Sequence, residues 1–134
     1  MPPERAPPDD PREWLSRARS CLVRASLVHP EVYLEDLCFD AQQAAEKALK
    51  AALLHLGVRF PKVHDLAELL GLIEAAGEEI PPGVREAARL SDFAVEARYP
   101  GTAEPVTEAE HREAVSLAEA VVAWAQARVD QPRR

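Results

Sequence analysis

Six polar side chains in three short stretches carry the chemistry this chain offers: Lys47 and Lys50, His64 and Asp65, and Arg98 and Tyr99. Lys47 and Lys50, with Gln43, recur at three- and four-residue intervals, the spacing of one helix face. Their ammonium groups can hold a phosphate through charge-assisted hydrogen bonds, or form a solvated face paired with Asp36, Asp40 and Glu46. His64 is of the type that transfers protons near neutral pH. Equally, Asp65 can cap a helix while His64 holds the preceding loop. Arg98 presents a fork that clamps phosphate or carboxylate, and Tyr99 can stack on a base. The same pair also suits a helix C-terminus, with Tyr99 anchoring the loop on the core. Arg85 and Arg89 either extend a basic strip towards Arg98 or pair with Glu86, Asp92 or Glu96.

Other chemistries find little support. The four histidines, His29, His55, His64 and His111, show no ligand spacing, so no metal site is expected. There is no Gly-rich phosphate loop and no nucleophilic triad, and no cofactor is expected. Cys21 and Cys38 fit no redox or metal spacing and read as buried free thiols.

The elements that must position these residues are helices. The 134-residue chain is 47% apolar and 29% charged with only 5% aromatics, a balance that favours packed helices. Its net charge of −7 opposes a whole-surface affinity for nucleic acid but leaves room for a local basic site. The longest helical pattern runs from Tyr33 to Leu56. Leu34, Cys38, Ala41, Ala45, Leu49, Ala52 and Leu56 fall on its apolar side, and Asp36, Asp40, Gln43, Lys47 and Lys50 on the other.

Before it, Asp9 or Asp10 caps a helix that Pro11 opens and His29–Pro30 ends, with Trp14, Ala18, Cys21, Leu22, Ala25 and Val28 inward. A third helix is expected over 65–76 and a fourth over 82–97. The last runs from Thr107, at capping-box spacing from Glu110, to about Val129. This predicts an all-α, up-and-down four-helix bundle with one additional short helix. It occupies residues 10–129, between a disordered Pro-rich tail (1–9) and a frayed tail (130–134). No apolar run is long enough to span a membrane and no signal peptide opens the chain, so a cytoplasmic protein is expected.

Three motifs in this order, Gln42–Gln43–Ala44–Ala45–Glu46–Lys47–Ala48–Leu49–Lys50–Ala51, His64–Asp65–Leu66 and Ala97–Arg98–Tyr99–Pro100, resemble the small prokaryotic HEPN domains, from about Trp14 to Val129. The resemblance implies a helical bundle that forms homodimers or larger homo-oligomers. It also implies a minimal nucleotidyltransferase partner, often in a toxin–antitoxin pair, and a nucleotide or RNA ligand around the six residues named above. Some HEPN proteins are metal-independent ribonucleases with an Arg and a His four to six residues apart near the start of the last helix. Here Arg98 is followed by no His at that spacing, and His111 comes too late. Arg59 and His64 have the spacing in the wrong loop.

The leading expectation is therefore a non-enzymatic, or at most weakly catalytic, self-associating module that works with a nucleotidyltransferase. The alternatives are a ribonuclease toxin with a non-standard site built on Arg98 and His64 or His111, and a purely structural oligomerisation module.

Overall fold

The computed structural model describes residues 2–93 and 105–132, and the described residues contain helices and no strand. They form an up-and-down bundle of four main helices with one short helical segment. The helices are α1 (Pro11–Ala25), α2 (Leu34–His55), α3 (Leu66–Ala75), α4 (Pro82–Arg85) and α5 (Glu108–Val129).

Helix α2 lies at the centre, packed most extensively against α1 and α5 and then α3. Its helical pattern predicted one apolar side, but 13 of its 22 residues are buried, covering most of its circumference. Small side chains make this possible. Ala41, Ala44, Ala45, Ala48, Ala51 and Ala52 are all buried, so neighbouring helices approach α2 closely while Leu49 and Leu53 fill the gaps.

Helix α1 stops short of its expected end. Its inward face is Leu15, Ala18, Cys21 and Ala25, whereas Val28, expected in the core, is 69% exposed. A continuing helix would need the Ala25 carbonyl as acceptor for residue 29. That carbonyl instead accepts from the buried His111 Nε2 at 2.7 Å, and the chain turns away at Ser26. His111→Phe leaves this helix-terminal carbonyl unpaired. It is expected to lower stability by about 1–3 kcal/mol in chemical denaturation.

The expected fourth helix also differs. Its described part is α-helical over Pro82–Arg85 and continues as a 3-10 helix over Glu86–Asp92, and residues 94–97 lie outside the described residues. Val84, Ala87 and Leu90 are buried and Phe93 packs on the same core, a spacing of three residues. A 3-10 helix eclipses every third side chain, so only this winding turns all four residues inward.

The caps follow the sequence closely. Asp10 accepts from Arg12 N and Asp65 from Ala67 N, and Thr107 and Glu110 form a reciprocal capping box. Thr107→Ala is expected to cost about 1 kcal/mol, read from the denaturation midpoint. Helices α2 and α3 end in left-handed glycines, Gly57 (φ 74°) and Gly77 (φ 95°). In each case the amide that follows reaches back to the last turn, Val58 N to Leu53 O and Glu78 N to Ile73 O.

Candidate functional site

Gln42, Glu46 and Lys50 recur every four residues along α2 and so form a single stripe. All three are buried, against the usual rule for such side chains. They are tolerated because they satisfy one another. Gln42 Nε2 donates to Glu46 Oε1 at 3.1 Å, and Lys50 Nζ donates to Glu46 Oε2 at 3.0 Å. Placing the Glu one turn before the Lys is also the orientation that the helix dipole favours.

The loop from Gly57 to Asp65 closes over this stripe. Gln42 Nε2 also donates to the His64 carbonyl at 3.2 Å, and His64 Nδ1 lies 3.0 Å from Glu46 Oε1. Phe60, from the same loop, meets Trp14 of α1 edge-on with ring centroids 6.0 Å apart. The Lys50 ammonium sits 5.6 Å from the Phe60 ring centre and 5.8 Å from that of Trp14, where both ring faces attract a cation. Trp14 is itself held by a hydrogen bond from its Nε1 to Pro8 O, while Ala6 N donates to the buried Glu13.

Glu46 is the hub. Burial pushes its carboxyl group up, but hydrogen bonds from Gln42, Lys50 and His64 outweigh that and hold it below the ordinary glutamate value of 4.5. It is therefore ionised at neutral pH and can only accept. In the neutral imidazole the His64 proton therefore sits on Nδ1, which leaves Nε2 as an acceptor. The carboxylate is 4% exposed and the imidazole 64%, so a shielded anion orients a ring that reaches solvent. A carboxylate that fixes one ring nitrogen and leaves the other free is the arrangement of a general base.

The same shift has a consequence for stability. A carboxylate with a depressed folded-state pKa stabilises the fold above its unfolded value and loses that contribution as pH falls through the folded one. The stability difference between wild type and Glu46→Gln should thus be full at neutral pH and shrink below about pH 4.5. Parallel urea titrations at several pH values would measure it. A difference that stayed constant into acid would show that Glu46 does not bear this charge.

The sequence-derived candidates fall unevenly around this hub. Lys47 donates to Gln43 at 2.8 Å and Gln43 to Gln42 at 2.7 Å, so a hydrogen-bonded chain links Lys47 to Glu46 and His64. Lys50 does not share that half-open face. It points inward to Glu46 because the helix on that side is covered by α1 and the 57–65 loop. Asp65 caps α3, and Ser91 Oγ beside it accepts from Leu66 N. Arg98 and Tyr99 lie outside the described residues.

His111 is committed to Ala25 O, which removes it from the ribonuclease alternative. Among the described residues Arg85 and Arg89 pair with neither Glu86 nor Asp92, while Glu96 and Arg98 lie outside the described residues. Arg85 and Arg89 bridge to other helices, at Glu74 and Glu113. On the outer face of α2, Asp40 pairs with Arg24 of α1.

Sequence reasoning missed Gln42 and Glu46 as site residues, although their spacing with Lys50 between alanines was a signal for a buried polar ladder. Nothing in sequence pointed to Trp14 and Phe60 as a pair. Cys21 and Cys38 are buried and free, and burial together with Glu35 and Glu110 pushes the Cys38 thiol up to about 12. Among the described residues, no three His, Cys, Asp or Glu side chains are grouped to hold a metal ion, and no helix is long and apolar enough to cross a membrane.

Comparison with known proteins agrees with this architecture. The chain is 32% identical to TT1696 from Thermus thermophilus. That match covers 88% of this chain and 97% of the other, with a TM-score of 0.74. It is 25% identical to ST0689, an archaeal HEPN homologue, over 90% of this chain and 98% of that one, with a TM-score of 0.73. No curated protein matches it. Residues 11–128 match the HEPN domain, and the chain belongs to that family.

Proposed function

We propose that this HEPN domain self-associates and works in the cytoplasm with a minimal nucleotidyltransferase partner, as one half of a toxin–antitoxin-like pair. In that role it binds a nucleotide or RNA phosphate beside the 57–65 loop. The observation that supports the ligand site is the hydrogen-bonded chain from Lys47 through Gln43, Gln42 and Glu46 to His64, which gathers polar groups of α2 and the loop. Arg59 and Lys62, exposed on the same loop, pair with no acid among the described residues and add local positive charge to an acidic protein.

In this reading Lys47 and His64 meet the phosphate, with Arg98 and Tyr99 as further ligand contacts. Lys50 acts from beneath by fixing Glu46, and Asp65 holds the loop in register with α3. Calorimetric titration with adenine nucleotides and a short RNA is the test. Lys47→Ala and His64→Ala are each expected to weaken binding about tenfold or more, the scale of a lost charge-assisted hydrogen bond. Unchanged affinity in both variants would remove the site. Co-purification with the product of the neighbouring gene tests the partner, and an unrelated neighbour that does not bind would end that part of the proposal.

A second reading, ribonuclease activity, draws on the Glu46–His64 pair alone. An oriented, solvent-exposed imidazole can take the proton of a 2′-hydroxyl. RNA cleavage by the purified protein in chelator, lost in both His64→Ala and Arg98→Ala, would favour it. Intact RNA after prolonged incubation would exclude it.

A further inference from the structure

The large apolar side chains that the described part of the molecule exposes are confined to one short stretch. Val23 (60%) lies in the last turn of α1, and Leu27 (60%), Val28 (69%), Val32 (39%) and Tyr33 (76%) follow it in the connection to α2. Scattered exposed apolar residues are ordinary, but their concentration in a single patch marks an interaction surface.

The patch is built rather than loose. Leu27 N bonds to Arg24 O, Val28 N to Ser26 O and Val32 N to His29 O, and Glu31 N donates to His29 Nδ1. The bond from His111 to Ala25 O anchors the start of the turn on α5. A partner meeting it would not have to order a mobile loop.

Its rim is acidic. Glu31 and Asp36 are exposed and pair with no cation among the described residues, and Glu35 beside them accepts from Val106 N. Arg24, in the last turn of α1, is already bound to Asp40. Two copies of the patch meeting about a twofold axis would bring these carboxylates together, a costly arrangement on a chain of net charge −7. An anionic lipid surface is opposed for the same reason.

We infer that the α1–α2 turn docks a segment of a different protein, one that presents aliphatic side chains flanked by Lys or Arg. The aliphatic groups cover Leu27, Val28 and Tyr33, and the basic groups meet Glu31 and Asp36. This inference is independent of the ligand site beside His64.

The test is titration of the isotopically labelled full chain with a synthetic helical peptide carrying leucines at i, i+3 and i+4 flanked by arginines. Amide shifts should saturate, map to residues 23–36 and weaken as salt is raised. Leu27→Asp, and separately Glu31→Lys with Asp36→Lys, should each weaken binding about tenfold or more. These residues are exposed, so the variants keep the fold, and circular dichroism checks that. A matched peptide with glutamates in place of arginines should not bind. Shifts mapping elsewhere, equal binding of the glutamate peptide, or unaltered binding by the variants would overturn the inference. So would a wild-type dimer that Leu27→Asp dissociates, because a second copy would then be the occupant.

Discussion

Replacing Lys50 with methionine is expected to destabilise the fold by about 3–5 kcal/mol, because it strands a buried carboxylate without its counter-ion. Glu46 and Lys50 are 4% and 8% exposed at their side chains and 3.0 Å apart, so solvent can stand in for neither partner. Gln42 and His64 still donate to the carboxylate, which places the loss towards the lower end of that range. Glu46→Met alone should cost a similar amount by leaving an ammonium under Trp14 and Phe60 with no anion.

The informative variant is the double one. An apolar pair of similar volume removes both desolvation costs, so Glu46→Met with Lys50→Met should recover most of the stability lost in either single variant. Gln42 keeps the His64 carbonyl as a partner, which limits the damage to the network. Urea denaturation of the four proteins closes the cycle. If the losses of the two single variants simply add in the double one, the pair is not coupled and the hub description is wrong. The double variant also separates folding from function, since His64 would then sit in a stable domain with no carboxylate to orient it. Loss of nucleotide binding or RNA cleavage in that stable protein would place Glu46 as a positioning residue for His64.

The second large effect belongs to the core. Leu49→Ala is expected to cost about 2–5 kcal/mol, in the upper part of that range. Leu49 is 0% exposed and is flanked along α2 by Ala45, Ala48 and Ala52, which are as fully buried. Alanine has no side-chain torsion with which to fill a void, and closing the cavity would require whole helices to shift. Leu54, on the partly open side of the same helix, offers the contrast. Its replacement by Ala removes less buried surface and should cost less than about 1.5 kcal/mol. Equal losses at the two positions would contradict the central placement of α2.

How much of this was legible in the chain differs from element to element. The all-helical class and Asp10, Asp65 and Thr107 as caps were readable, because each depends on residues within one turn of itself. Three features were not. The end of α1 depends on a hydrogen bond between residues 25 and 111. The 3-10 winding after Arg85 depends on which neighbour buries Val84, Ala87 and Leu90. The inward turn of Lys50 depends on Trp14 and Phe60 arriving from two other elements.

The candidate site divides along the same line. By itself the sequence determined a helical HEPN bundle and, in its polar motifs, the side chains available for chemistry at Lys47, Lys50, His64 and Asp65. Helix periodicity and capping are local properties, and the order of motifs identifies a family without coordinates. Only the tertiary structure decided what those side chains do. It sent Lys50 inward to Glu46, joined Lys47 to His64 through Gln43 and Gln42, and committed His111 to Ala25 O. The reason is that burial creates the constraint. A charge on an isolated helix is satisfied by water and can face any way, whereas a charge covered by α1 and the 57–65 loop must find its partner inside the protein.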